Sequence, residues 1–207
     1  MDAMVDVIVP VYRGAAETRR CVESVLAAPQ ETAFELIIID DASPEPELST
    51  WVESLRGHVH VTVIRNAANL GFVATVNLGM AMHPERDVVL LNSDTMVAND
   101  WLDRLRSCAY SDASIGTVTP FSNNATLCSY PWNCRDNALP AGMSLADVDA
   151  CIRQANAGGY VEIPTAVGFC MYIRRACIDR IGLFDVARFP RGYGEENDFS
   201  RRAVAAG

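Results

Sequence analysis

Phe34-Glu35-Leu36-Ile37-Ile38-Ile39-Asp40-Asp41-Ala42-Ser43 sets an unbroken apolar run, residues 36–39, directly against two carboxylates. A half-exposed strand would alternate apolar with polar residues. A run without alternation, rich in β-branched side chains, describes a strand covered on both faces, as in a parallel sheet. Asp40 and Asp41 end it, and Ser43-Pro44 then opens a helix carrying Leu48, Trp51, Val52 and Leu55 on one stripe.

The same grammar extends on both sides. Upstream, residues 5–11 form a buried strand, followed by a helix that packs Cys21, Val22, Val25 and Leu26 on the sheet and turns Glu17, Arg19, Arg20 and Glu23 to water. Downstream, strands at 59–64, 88–91 and 115–119 alternate with helices marked by Phe72, Val73, Val76 and Met80 and by Trp101, Leu102, Leu105 and Cys108. Strands alternating with helices of this length make βαβ units and a largely parallel sheet flanked by helices. From 120 to 164 the period is lost to Asn, Pro, Gly and Cys, with only 145–155 helical in pattern. Regularity returns with a strand at 166–173, a helix at 175–181 stopped by Gly182, and a last helix starting near Glu195.

A chain of 207 residues suits one α/β domain. A formal net charge of −9 disfavours nucleic acid and anionic membrane as partners, and no Lys/Arg run offers a local exception. The seven cysteines are an odd number without a C-x-x-C pair, which points to reduced thiols rather than a disulfide framework or zinc site. Without a charged-then-apolar leader or an apolar run of spanning length, the expected location is cytoplasmic, with peripheral contact at the inner membrane face allowed. The chain is expected to be part of a longer one.

In an open parallel sheet, ligands sit outside the carboxyl ends of the strands, so the residues just past each strand carry the chemistry. Strand one ends in Pro10-Val11-Tyr12-Arg13, strand two in Asp40-Asp41-Ala42-Ser43, and strand four in Asn92-Ser93-Asp94. One such acidic edge is ordinary turn and capping chemistry. Two edges converging on one crevice repel unless a cation or a hydrogen-bonding ligand compensates, and a hard divalent ion bridging to phosphate suits these oxygens. Asn69-Leu70-Gly71-Phe72 opens a helix whose free amides favour an anion. Gly194-Glu195-Glu196-Asn197-Asp198 places three carboxylates in a first helical turn, where the macrodipole alone would tolerate them.

In this order, and together with Gly168-Phe169-Cys170-Met171 and Gly182-Leu183-Phe184-Asp185, these segments resemble the family-2 glycosyltransferases of the GT-A fold over nearly the whole chain. The resemblance implies a single catalytic domain over 1–207, with a nucleotide-sugar-binding half (1–119) and an acceptor-side half (120–207). It implies that Pro10, Val11 and Tyr12 line a base pocket and that Asp41 contacts the nucleobase, with Asn69, Gly71, Asn92 and Ser93 completing the donor site. Asp94 would ligate Mn²⁺ or Mg²⁺. Glu196 would be the general base for an inverting transfer from a UDP-, dTDP- or GDP-sugar to a saccharide or lipid-linked acceptor, with Glu195 and Asp198 in support. Two positions depart from the family pattern: Asn92-Ser93-Asp94 stands where Asp-x-Asp is usual, and Glu195-Glu196 where Glu-Asp is common. The overall form is most similar to bacterial enzymes of cell-surface polysaccharide synthesis, including rhamnosyl-type transferases.

Other classes fit less well. A dinucleotide-binding dehydrogenase would place G-x-G-x-x-G after the first strand, where this chain has Tyr12-Arg13-Gly14. A triad hydrolase needs a positioned base, and the three histidines, at 58, 60 and 83, lie around the third strand or at a helix end. A sugar nucleotidyltransferase would carry a Gly-rich basic loop after strand one. A sugar-nucleotide or glycan binder without turnover is the remaining alternative, separable from an enzyme by turnover.

Overall fold

The computed structural model describes residues 4–156 and 158–207. In chain order the elements are β1 (Val5–Val11), α1 (Ala15–Ala27), β2 (Phe34–Asp40), α2 (Pro46–Ser54), β3 (Val61–Arg65), α3 (Phe72–Met80) and β4 (Val88–Leu91). There follow α4 (Trp101–Ala109), β5 (Thr117–Val118), α5 (Leu145–Asn156), β6 (Cys170–Ile173), α6 (Arg175–Ile181) and α7 (Glu195–Ala206). The strands form one six-stranded sheet in the order β3-β2-β1-β4-β6-β5. β3, β2, β1 and β4 are parallel, and β6 runs antiparallel between β4 and β5.

The unalternating strands divide their side chains between two cores. Val7, Val9, Val11, Leu36, Ile38, Val89 and Leu91 meet Cys21, Val22 and Val25 of α1, Leu48 and Val52 of α2, and Trp101, Leu102 and Leu105 of α4. Ile8, Ile37, Ile39, Val88 and Leu90 face the other way onto Val73, Val76 and Met80 of α3, Ile178 of α6 and Phe199 of α7. The period of two therefore serves a three-layer sandwich, each fully buried Ile or Leu stabilising it by roughly 1.5–3 kcal/mol. Gly79 lets α3 lie close on β1, since a Cβ there would stand 2.7 Å from Cγ2 of Ile8.

Several boundaries differ from the expectation. Helix α2 begins at Pro46 rather than at Ser43-Pro44. The Asp40 carboxylate accepts from the Ser43 amide and the Ser43 hydroxyl from the Glu45 amide, so 43–45 form a turn and Pro46 takes the first helical position. Leu26 lies exposed, and Thr18 takes its place on the buried face of α1. The strand expected at 166–173 is regular only from Cys170, because the Ala166 and Val167 amides donate to the Ser200 and Thr119 hydroxyls instead of to a ladder. β5 shrinks to Thr117–Val118, and the Ile115 carbonyl accepts from the Arg174 guanidinium. No helix among the described residues is long and apolar enough to cross a membrane.

Candidate functional site

The strand order places β1 at the point where the parallel connections change direction, with β2 on one side and β4 on the other. A crevice opens at such a switch point beyond the carboxyl ends of the strands. Pro10 marks where it begins. Pairing of β1 with β4 extends only to Ile8 and Leu90, whereas pairing with β2 continues to Val11 and Asp40. The Val11 carbonyl accepts from the Asp41 amide, so by alternation Pro10 turns its main chain toward β4, where a residue without an N–H interrupts nothing. The Val11 side chain is core rather than pocket lining. Tyr12 is partly exposed, with the Arg13 guanidinium 5.6 Å from its ring centre.

Asp40 and Asp41 are both buried and both committed. Asp40 accepts from the Ser43 amide at 2.7 Å and from Arg65 Nη1 at 2.8 Å. Asp41 Oδ1 accepts from Asn66 Nδ2 and from the Leu70 amide, both at 2.8 Å, and its Oδ2 accepts from the Gly71 amide at 2.9 Å. A carboxylate offers about four acceptor directions, so Asp41 retains one. Its first effect is to hold the 66–71 loop against the end of β2, assisted by Asn69 Oδ1, which also accepts from the Gly71 amide. Gly71 has φ +82°, and a Cβ there would lie 3.1 Å from the Pro190 carbonyl oxygen, which brings this loop against the segment leading into α7. Asn66 was not foreseen, although it stands directly after β3 at the same edge and the rule that singled out its neighbours applies equally to it.

Beyond β4, the Asn92 amide donates to the Phe169 carbonyl at 2.8 Å, and the Asn92 carbonyl accepts from the Thr95 amide at 3.0 Å and from the Cys21 thiol at 3.5 Å. Asn92 and Ser93 are half-buried and Asp94 is exposed. Among the described residues none forms a hydrogen bond or ion pair with the Asp94 carboxylate. Burial, with the Asp94 charge adding to it, pushes the Cys21 thiol up to about 12.

The acidic turn of α7 splits into different environments. Asp198 is clamped by Arg188 Nη1 at 2.9 Å and Arg202 Nε at 2.8 Å. Glu195 is only 5% exposed, and burial followed by the neighbouring Glu196 raises its carboxyl above the usual range. Glu196 Oε1 lies 3.2 Å from where a Cβ on Gly168 would stand, which places this carboxylate over the approach to β6 at the same edge as Asp94. One oxygen on each glutamate, Oε2, is buried without a hydrogen-bond partner among the described residues. Buried polar atoms seldom stay unpaired where they serve stability alone. The structure thus brings the first, second and fourth strand ends and the start of α7 to one edge of the sheet.

Asp6, Glu35 and His83 form a second ionisable cluster whose ligand atoms lie within 4.8 Å of one another. Asp6 and Glu35 begin β1 and β2, at the opposite edge, about 16 Å away along the strands. A cation already sits among them, since Arg86 Nη1 reaches Asp6 at 3.0 Å and Glu35 at 2.6 Å. The Thr62 hydroxyl and Arg86 hold Glu35 below the usual carboxylate range. This cluster closes the far end of the sheet with an internal ion pair.

The model for glycosyl transferase family 2 matches residues 6–182. An uncharacterised protein of Sinorhizobium fredii, y4gI, is 31% identical over 108 residues, 51% of this chain and 12% of its own length. An uncharacterised glycosyltransferase of Haemophilus influenzae is 24% identical over 102 residues, 49% of this chain and 31% of its own. Among solved structures, the mannosyltransferase PcManGT of Pyrobaculum calidifontis, in complex with GDP-Man and Mn²⁺, superposes with a TM-score of 0.62 at 19% identity, over 98% of this chain and 51% of that one. GalNAc-T7 with UDP, GalNAc and Mn²⁺ gives 0.68 at 18% identity, over 97% and 40%. At such identities the structural likeness speaks for the fold, and the chain spans at most about half the length of these proteins. With a family match over most of its length and the GT-A architecture of its neighbours, the chain belongs to glycosyl transferase family 2.

Proposed function

We propose that residues 1–207 are a glycosyltransferase catalytic domain that moves a sugar from a nucleotide-diphosphate sugar to an acceptor hydroxyl, with inversion and with the help of a divalent cation. The observation that carries this reading is the meeting, at one sheet edge, of an uncommitted carboxylate, Asp94, with a carboxylate pair whose buried oxygens lack partners, Glu195 and Glu196. The two solved relatives described above hold a nucleotide or nucleotide sugar together with Mn²⁺.

The donor half comprises 1–119. Pro10 and Tyr12 flank the base, the Val11 main chain supports them, and Asp41 offers its remaining acceptor direction. Asn69 and Gly71 border the site on one side, Asn92 and Ser93 on the other. Asp94 suits a hard cation because its oxygens are exposed and unpaired, whereas Asp40, Asp41 and Asp198 are engaged elsewhere. Mn²⁺ or Mg²⁺ held there would neutralise charge developing on the diphosphate leaving group.

Glu196 accepts the proton from the attacking hydroxyl oxygen as that oxygen bonds to the anomeric carbon. A single displacement inverts that centre. Glu195, its carboxyl raised by burial and then by Glu196, backs Glu196 from the buried side of the turn, and Asp198 fixes the first turn of α7 through its two arginines. The acceptor half, 120–207, receives a saccharide or lipid-linked saccharide in the building of bacterial cell-surface polysaccharide, at the cytoplasmic side of the membrane.

A panel of UDP-, dTDP- and GDP-sugars, scored for release of nucleoside diphosphate with Mn²⁺ or Mg²⁺, tests the reading. At least one donor should turn over, and Glu196→Gln should lower the rate by roughly 10²-fold or more while retaining nucleoside diphosphate binding. Binding without turnover across the panel would leave a sugar-nucleotide-binding domain instead, and a Glu196→Gln rate near wild type would remove Glu196 as the base.

A further inference from the structure

Between β5 and α5 the chain makes a loop whose inside is polar and whose outside is aromatic. Asn137 is its buried hub. Its Nδ2, with two hydrogens to share, lies 3.0–3.1 Å from the Asn123, Trp132 and Arg135 carbonyls and the Ser129 hydroxyl, and its Oδ1 accepts from the Trp132 amide at 3.2 Å. The Ser129 hydroxyl, with one hydrogen to give, stands within reach of both the Asn123 and Arg135 carbonyls. A loop braced this way pre-sets its outward side chains. Those include Phe121 at 49% exposure, Tyr130 at 46% and Trp132 at 67%, with the Phe121 and Tyr130 rings 5.8 Å apart. Exposing large rings on a braced loop forgoes their burial, which a contact surface explains and stability does not.

The loop leaves from beside the proposed base. The Thr119 hydroxyl accepts from the Val167 amide at 3.2 Å, and Glu196 Oε1 lies over the adjoining Gly168. Phe121 is two residues further on, within about 7 Å of chain.

We propose that Phe121, Tyr130 and Trp132 form a stacking platform for the sugar rings of an uncharged saccharide acceptor whose reactive hydroxyl reaches Glu196. This rests on the sugar-transfer reading of the same edge and adds that the acceptor saccharide is uncharged and held by ring stacking. Aromatic faces cover the C–H faces of sugar rings, while the exposed Asn124 and Asn133 amides and the Tyr130 hydroxyl suit sugar hydroxyls. Charge argues the same way: between 121 and 140 the only charged side chains are Arg135 and Asp136, which cancel. An acidic glycan would call for more cations than this, and so would an anionic lipid surface.

The test uses the 207-residue chain on an array of neutral and acidic oligosaccharides, followed by titration calorimetry of the strongest neutral binder and, separately, of UDP, dTDP and GDP with Mn²⁺. At least one neutral oligosaccharide should bind. Trp132→Ala should weaken it about tenfold or more and Trp132→Phe by no more than about threefold, with nucleoside diphosphate affinity unchanged in both. The platform is overturned if a wild-type chain that binds nucleoside diphosphate binds no neutral oligosaccharide, or if Trp132→Ala binds it equally well. It is also overturned if the ring instead drives binding to phosphatidylcholine vesicles, which would make the loop a membrane contact. Glycan binding that depends on Trp132, without any nucleoside diphosphate binding, would uphold the platform and remove the donor reading.

Discussion

Glu195 shows how differently two adjacent acids can be placed. Its carboxyl is buried at the start of α7 and raised first by that burial and then by Glu196. A carboxyl raised on folding contributes stability that is fully present below its unfolded value of about 4.3, and this is lost as pH rises through the folded value. Glu195→Gln removes the ionisation while keeping the shape. Its melting temperature should exceed wild type at pH 7, and the difference should shrink toward zero at pH 4 in matched thermal melts. A constant difference across that range would mean that Glu195 ionises as freely folded as unfolded. The order Glu195-Glu196-Asn197-Asp198 revealed three acids in one turn. Helical spacing makes Arg202 the i,i+4 partner of Asp198, but the order could not reveal that Arg188 would join it from outside α7 while Oε2 of each glutamate finds no partner among the described residues. Likewise the Asp40-Asp41 pair was legible as polar chemistry at a strand end, but not as the anchor of the 66–71 loop.

At the scale of elements, the parallel strands and their helices were readable because long apolar runs and helical stripes each need only a local pattern. Two kinds of feature escaped. Side chains that capture backbone donors, as Ser200 and Thr119 do at Ala166 and Val167, shorten a strand without changing its apolar pattern. The braced loop hides because its hub, Asn137, resembles any other loop asparagine until its partners are in place. Asn137→Ala should therefore speed amide exchange across 122–137 at least tenfold, with less effect on the sheet; uniform change throughout would show that the loop is not a local unit. The α3–β1 contact gives a sharper case. In a free helix Gly79→Ala would gain about 1 kcal/mol, but here the new methyl meets the buried Ile8 side chain, and overpacking of this kind costs about 1–3 kcal/mol. The net cost of about 0–2 kcal/mol predicts a melting temperature lowered by up to roughly 8 °C. A rise would mean that α3 shifts on β1 without strain.

For the whole molecule, the sheet separates two concentrations of ionisable groups. At the amino edge Asp6, Glu35, His83 and Arg86 satisfy one another. At the carboxyl edge, among the described residues, the exposed Asp94 carboxylate and Oε2 of Glu195 and Glu196 have no partner. Both edges present carboxylates, so composition alone does not say which one would bind a cation; the internal guanidinium already compensates the amino edge, which favours the carboxyl edge. We propose that the carboxyl edge holds a nucleoside diphosphate through a cation at Asp94. Calorimetric titration of UDP, dTDP and GDP, with and without Mn²⁺, into wild type, Asp94→Asn and His83→Gln tests it most directly. Wild type should bind at least one nucleotide about tenfold or more tightly with Mn²⁺, Asp94→Asn should lose that gain, and His83→Gln should keep it. Mn²⁺-dependent binding that survives Asp94→Asn, or that disappears in a folded His83→Gln, would contradict the account.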